Sequence, residues 1–85
     1  MTNVMYFTAT WCGPCKAFRP IVEQASQETG KYVQFIDVDQ NKHMAEQFEI
    51  RSVPTIIVTN DAGQVVNRMS GLQSKSTVTS LLSIC

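Results

Sequence analysis

The sequence lacks an excess of charge of either sign, a long apolar run and the length for two domains. Seven Lys plus Arg residues balance seven Asp plus Glu residues, so the formal net charge is zero at pH 7. Without a basic surface we expect neither nucleic acid nor a membrane as a partner. No uncharged apolar run approaches the roughly 18 to 20 residues that cross a bilayer. We therefore predict one domain, residues 1–85, because a chain this short buries too little surface for two cores.

The sequence also has few of the features of a secreted protein. Residues 1–7 contain no basic segment and too short an apolar stretch for a secretory signal. Cysteine is scarce, with three residues in all. An odd number does not suit an extracellular domain held together by disulfides. We therefore expect a cytoplasmic protein whose cysteines serve redox or metal chemistry.

A metal site is the less favoured of these two chemistries. The residues available as soft ligands are Cys12, Cys15, Cys85 and His43. They lack the paired spacing that is typical of zinc or iron–sulfur sites. Cys85 lies on the apolar stripe of a predicted helix, where it serves as a small hydrophobic side chain or, alternatively, as a third reactive thiol. We predict no metal.

Hydrophobic periodicity predicts the element order β-α-β-α-β-β-α. Strands are expected at residues 4–8, 32–38, 55–59 and 64–69, and helices at 15–30, 40–50 and around the stripe formed by Val78, Leu81, Leu82 and Cys85. The first β-α-β unit must cross over with a right hand, which makes its two strands parallel. Pro20 should kink the first helix without ending it. Asp39 or Asn41 is expected to cap the second helix.

The spacing of Cys12 and Cys15 indicates reversible disulfide chemistry. Two thiols three positions apart at a helix start share one face, within the Cα separation of about 4.4 to 6.8 Å that a disulfide requires. Cys12 faces unpaired backbone N–H groups and the positive end of the helix dipole, which favour a thiolate. We predict Cys12 as the nucleophile and Cys15 as the resolving thiol of a mixed disulfide. A structural disulfide is disfavoured, since so short a loop constrains the unfolded chain little.

The segment Trp11-Cys12-Gly13-Pro14-Cys15-Lys16 resembles the active-site signature of the thioredoxins. Pro20 resembles the proline of that family's long helix, Val53-Pro54-Thr55 its cis-proline loop, and Gly71 the glycine of its last substrate-facing loop. The resemblance implies a minimal thioredoxin-like fold, a four-stranded mixed sheet in the order 2-1-3-4 flanked by helices. Compared with the family, this chain resembles a shortened form without the N-terminal strand and helix.

The resemblance also implies a binding surface and partners. Pro54 would follow a cis bond, the backbone of Val53 would pair with an extended substrate segment, and Gly13 would allow its close approach. We call the apolar rim around Cys12 the collar; it comprises Trp11, Pro14, Val38, Val53, Pro54, Gly71 and Leu72. A monomeric protein-disulfide reductase and electron carrier is expected, with no cofactor besides its disulfide. A thioredoxin reductase would supply electrons, and ribonucleotide reductase is one plausible acceptor.

Two other functions stay open from the sequence. One is a glutathione-dependent, glutaredoxin-like thiol transferase, and the other is a non-catalytic binding module that uses the same surface. The pair Gly13-Pro14 resembles reducing thioredoxins and favours the reductase.

One departure from the thioredoxin pattern concerns proton transfer. A buried carboxylate and a lysine of that family correspond here to Tyr6 and Phe35, neither of which is a base near pH 7. We expect Cys15 to lose its proton to water or to the departing Cys12 sulfur, with Asp37 as a weaker substitute base.

Overall fold

A computed structural model describes residues 2–85, so Met1 of the expected 1–85 domain lies outside the described residues. Within residues 2–85 the elements are β1 (Asn3–Thr8), α1 (Gly13–Thr29), β2 (Val33–Asp37), α2 (Lys42–Gln47), β3 (Thr55–Thr59), β4 (Val65–Ser70) and α3 (Lys75–Ser83). The predicted element order is confirmed.

The four strands of the described residues form one mixed sheet in the order β2-β1-β3-β4. β1 and β2 are parallel, with Val4 opposite Val33, and α1 forms the crossover connection between them. β1 pairs antiparallel with β3, and β3 pairs antiparallel with β4, with a register irregularity at Val58 and Thr59. All of β3 is buried, as expected for a central apolar strand covered on both faces. The expected order 2-1-3-4 is confirmed.

α1 is the long helix that carries both paired cysteines at its start. Cys12 is its N-cap residue, and the helix continues through Pro20. It ends at Gly30, whose φ of 69° lies in the left-handed region that a residue without Cβ adopts at little cost. Its buried side chains are Cys15, Phe18, Val22 and Ala25. Cys15 therefore lies on the stripe that packs against the sheet.

One face of the sheet packs against α1 and α3. The buried residues of this α1/α3 core are Val4, Tyr6, Phe18, Val22, Ala25, Val33, Ile56, Val58, Val78, Leu81 and Leu82. Ser74 caps α3 by accepting a hydrogen bond at Oγ from the backbone N–H of Thr77, 3.2 Å away. Cys85 lies beyond the end of α3, half-buried against this core, with its Sγ 3.1 Å from the carbonyl oxygen of Leu81.

The other face packs against the shorter helix α2. The buried residues of this α2 core are Met5, Phe7, Ile36 and Ile57. The partly buried residues around them are Val38, Met44, Phe48, Ile50 and Val53. Every side chain of α2 is at least partly exposed. This face of the sheet therefore has the smaller number of buried residues.

The two ends of α2 differ from the sequence expectation. The helix was expected over residues 40–50 and spans six residues, because Phe48 ends it and Glu49 has a φ of 53°. Arg68 of β4 donates hydrogen bonds to the carbonyl oxygens of Phe48 and Glu49. Asn41 is the N-cap residue, but its Nδ2 donates to the carbonyl oxygen of Asp37, 3.0 Å away, instead of capping the helix.

Candidate active site

The paired cysteines form a disulfide at the start of α1. Their Cα atoms are 5.3 Å apart, inside the range that a disulfide requires. Both residues are buried, with 3 % of Cys12 and 2 % of Cys15 exposed. Gly13 and Pro14 between them are exposed. The disulfide is therefore buried, while the two residues between the cysteines face solvent.

The backbone around Cys12 suits a negatively charged sulfur. The N–H of Cys15 donates to Sγ of Cys12 over 3.1 Å, and Cys12 is the N-cap of a 17-residue helix. An anion at this place accepts a hydrogen bond and interacts with the positive end of the helix dipole. The N–H of Cys12 is itself held by the carbonyl oxygen of Ala9 at 3.1 Å. The thiolate of Cys12 in the opened pair is thus stabilised by fixed backbone groups.

A loop with a cis bond between Val53 and Pro54 lies directly beside the disulfide. The carbonyl oxygen of Val53 is 3.6 Å from Sγ of Cys12. The carbonyl oxygen of Pro54 accepts a hydrogen bond from the N–H of Gly71 at 2.9 Å, where the glycine has a φ of 79°. Three separate parts of the chain, around residues 12, 53 and 71, therefore meet at one point.

The structure brings most of the collar together around Cys12. Val38 and Val53 pack against the cluster formed by Ala9 and the two cysteines, and Pro54 is buried beside them. Leu72 follows Gly71 and is 56 % exposed. Val38, Val53 and Pro54 thus lie near the disulfide.

Trp11 forms the exposed wall of a notch beside the disulfide. The notch measures about 170 Å³ and is lined by Trp11, Val38, Ile50, Arg51, Ser52 and Val53. Trp11 is 68 % exposed, and its Nε1 donates to Oδ2 of Asp39 over 2.8 Å. Sequence reasoning missed Ala9 and Ile50 as site residues and assigned Asp39 only a capping role. The place of Asp39 just after β2, at the edge of the sheet where β1 also ends, is a signal that could have indicated its contact with Trp11.

The buried ring of Tyr6 lies beside Cys15 and packs with two other aromatic rings. Tyr6 is fully buried, and its hydroxyl donates to the carbonyl oxygen of Cys15 over 3.2 Å. Its ring centroid is 5.9 Å from that of Phe18 and 5.2 Å from that of Phe35. Burial raises the pKa of Tyr6 above its usual value, against smaller lowering effects of a hydrogen bond with Thr8 and the charge of Arg19. Tyr6 is therefore a hydrogen-bond donor near pH 7 and no base.

Residues 2–85 contain no group of three or more His, Cys, Asp or Glu side chains that could hold a metal ion. In the same residues, no helix has the length and apolar character needed to cross a membrane.

Comparison with known proteins identifies similar chains. The family model described as Thioredoxin matches residues 1–83. A thioredoxin of Staphylococcus saprophyticus is 40 % identical over 82 residues, covering 94 % of this chain and 78 % of the relative. A thioredoxin of Staphylococcus aureus is 42 % identical over 78 residues, covering 89 % of this chain and 74 % of the relative.

Solved structures agree with these sequence matches. A mutant thioredoxin from Halobacterium salinarum superimposes with a TM-score of 0.88 at 35 % identity, covering 98 % of this chain and 73 % of that one. A thioredoxin from Fasciola hepatica gives a TM-score of 0.86 at 31 % identity, covering 98 % and 79 % respectively. The similarity extends over nearly the whole of this chain.

Proposed function

This chain belongs to the thioredoxin family and is a thiol-disulfide oxidoreductase, and on that premise we propose that it reduces protein disulfides with Cys12 as nucleophile and Cys15 as resolving thiol. The observation that carries the assignment is the contrast between the two sulfurs. Cys12 is the N-cap of α1 and accepts the N–H of Cys15 at 3.1 Å. Cys15 lies one turn inside the helix, on its buried stripe.

The reaction takes place in two exchanges. The Cys12 thiolate attacks one sulfur of a substrate disulfide, so that a mixed disulfide forms and the other substrate sulfur leaves as a thiolate that takes a proton from water. The Cys15 thiolate then attacks Sγ of Cys12. This closes the Cys12–Cys15 disulfide and releases the second substrate thiolate. The enzyme pair loses two electrons, and the substrate disulfide gains them.

The collar is proposed as the substrate-binding surface. The carbonyl oxygen of Val53 lies 3.6 Å from Cys12 Sγ. A strand paired with the backbone of Val53 would therefore lie beside Cys12. Backbone pairing with an extended segment recognises no particular sequence. Gly13 has open space around its Cα, which allows a partner chain to approach closely. We therefore expect loose selectivity among flexible disulfide-containing segments.

The partners follow from the family. Membership implies protein disulfides as substrates and a thioredoxin reductase as electron donor. We propose that the protein works as a monomer in the cytoplasm, with the disulfide as its redox centre and no further cofactor. Ribonucleotide reductase is retained as one candidate acceptor. We propose neither nucleic acid nor a membrane as a partner, because the zero net charge offers no attraction to phosphate groups or anionic lipids.

Insulin reduction tests whether the protein reduces disulfides and which system supplies its electrons. The protein is assayed with a thioredoxin reductase and NADPH and, separately, with glutathione and glutathione reductase. Turnover with the thioredoxin reductase supports the proposal. Turnover with glutathione alone would make the protein a glutaredoxin-like transferase, and the absence of turnover with both would make it a binding module.

Trapping variants test the two cysteine roles. Cys15→Ser should accumulate a stable mixed disulfide with insulin, because the resolving thiol is gone. Cys12→Ser is the matched control and should trap none. Trapping by Cys12→Ser would contradict the assignment of the nucleophile.

A further inference from the structure

A cleft lies beside Cys15, between residues of α1 and of β2. It measures about 290 Å³, and its lining includes Cys15, Lys16, Arg19, Phe35 and Asp37. A water molecule takes about 30 Å³ in the liquid, so the cleft has room for several. Cys15 itself is only 2 % exposed. The cleft thus brings solvent next to the residue that carries the resolving thiol.

Arg19 is placed to act on Cys15 through its charge. The two residues are four positions apart on α1 and so are neighbours on one face of the helix. The Arg19 guanidinium carbon is 4.3 Å from the centroid of the Phe35 ring, a position that a cation–π interaction favours. Arg19 Nε also donates to Oε1 of Glu23 at 3.3 Å. These two contacts hold a permanent positive charge at the cleft that Cys15 lines.

The other ionisable groups at this place have different roles. From α1, Lys16 adds a second positive charge to the cleft lining. From β2, Asp37 lines the cleft, but its Oδ1 already accepts the backbone N–H groups of Asp39 and Gln40 at 2.8 and 3.2 Å. From β1, the hydroxyl of Tyr6 is a donor to the carbonyl oxygen of Cys15. Within residues 2–85, neither Asp37 nor Tyr6 is hydrogen-bonded to the Cys15 sulfur.

We propose that Arg19 favours the thiolate of Cys15 in the resolving step and that the proton of Cys15 leaves through water in this cleft. The inference rests on the proposed roles of Cys12 and Cys15. Water in the cleft accepts the proton and passes it to bulk solvent. The Cys15 thiolate then attacks Sγ of Cys12, the bond between Cys12 and the substrate sulfur breaks, and the substrate thiolate is protonated by water. Phe35 is a positioning residue, because it supports the guanidinium.

The two exchanges can be followed separately with dithiobis(nitrobenzoate). Reduced protein carrying Cys85→Ser, so that the third thiol cannot react, is mixed with less than one equivalent of the reagent in a stopped-flow instrument. The first release of thionitrobenzoate reports attack by Cys12. The second release reports attack by Cys15 on the mixed disulfide. Both rates are measured from about pH 5 to pH 9, a range that spans ordinary thiol titration.

Arg19→Gln should slow the second release about threefold near pH 7 and move its pH profile to higher pH, because one positive charge near the thiolate is lost. The first release should change less, because the N–H of Cys15 and the start of α1 also stabilise the Cys12 thiolate. Arg19→Lys should restore the second rate to within about twofold. High salt should reduce the difference between the parent and Arg19→Gln, since the guanidinium is half-exposed.

Lys75→Gln is the matched charge control. Lys75 pairs with Glu28 near the far end of α1, which is about 20 Å along the helix from Cys15. Its removal takes away the same unit of charge and should leave both releases unchanged.

Asp37→Asn distinguishes the proposal from a carboxylate base. Loss of a negative charge should leave the second release unchanged or make it faster. A decrease of more than about threefold would identify Asp37 as the proton acceptor and overturn the inference, as would an unchanged second release in Arg19→Gln. Failure of the parent to release a second thionitrobenzoate, or to reduce insulin, would instead contradict the proposed function.

Discussion

The two faces of the sheet bury different numbers of residues, and the proposed substrate-binding surface adjoins the face that buries fewer. Among residues 2–85, the α1/α3 core contains eleven buried residues and the α2 core four. Buried apolar surface is the main favourable contribution to folding, so the α1/α3 face supplies most of the stability. Val38 and Val53 belong to the rim of the α2 core and also pack against Cys12 and Cys15. The collar therefore packs against the α2 core, on the face with fewer buried residues.

The sharpest test of this comparison is a cavity in the α1/α3 core. Leu82 is fully buried there, and Leu82→Ala should lower the free energy of unfolding by about 2 to 5 kcal/mol. That is a large share of the roughly 4 to 13 kcal/mol expected for a chain of this length. Guanidinium unfolding measures it. Insulin reduction per folded molecule should stay unchanged, and a cost below about 1 kcal/mol would show that this face is not the main source of stability.

A matched truncation on the other face should cost less. Met44 of α2 is only partly buried against the α2 core, so Met44→Ala should lower the free energy of unfolding by about 1 to 2 kcal/mol. The same unfolding titration applies. A loss equal to that of Leu82→Ala would remove the proposed difference between the two faces.

A variant of Tyr6 tests whether the α1/α3 core also takes part in disulfide reduction. Tyr6→Phe removes the hydrogen bond to the carbonyl oxygen of Cys15, which should cost about 1 kcal/mol of stability. The disulfide-reduction rate should stay within about tenfold of the parent from pH 6 to pH 9. A much larger loss with the fold intact would place Tyr6 in the proton path.

The same variant has a pH signature. Because burial raises the pKa of Tyr6 in the folded state, the unfolded chain loses this proton first. The stabilisation is complete below the unfolded pKa of about 10 and is lost as pH rises through the folded value. Stability measured from about pH 8 to pH 11 should therefore fall less steeply in Tyr6→Phe than in the parent. Equal slopes would contradict the raised pKa.

The smallest effect on stability is expected at the collar. Trp11 is 68 % exposed, so Trp11→Ala should change the free energy of unfolding by no more than about 0.5 kcal/mol. Loss of the notch wall should raise the KM for insulin severalfold. Initial rates at varied insulin concentration measure this. An unchanged KM would exclude Trp11 from substrate binding.

The sequence was sufficient for the fold because its local signals agree. The helical spacing of Phe18, Val22 and Ala25 and the all-apolar run of β3 match the side chains that the structure buries. The end of α2 was missed, because Phe48 and Ile50 continue an apolar pattern while Glu49 between them turns the chain. That turn is held by Arg68, twenty positions away, and local periodicity contains no information on such a contact.

The sequence predicted the local part of the site, but not the contacts between residues that are distant in the chain. The spacing of Cys12 and Cys15 is a local feature, and it was sufficient to predict their disulfide. The contact between Trp11 and Asp39 and the position of Arg19 over Phe35 depend on how β2 lies against α1. From the sequence, Arg19 is only one of the charged residues on the exposed side of a predicted helix. Its relation to Cys15 becomes visible only when the strand beside the helix is known.

The contact of Arg68 with the end of α2 has a consequence for amide hydrogen exchange. A six-residue helix without a buried side chain has little stability of its own. Here the carbonyl groups of Phe48 and Glu49, which directly follow the helix, accept hydrogen bonds from Arg68 of the edge strand β4. Segments that share such contacts open together as one local unit. The amides of α2 and the outer edge of β4 should therefore exchange with similar, weak protection. The amides of the central strands β1 and β3 should exchange only when the whole chain unfolds.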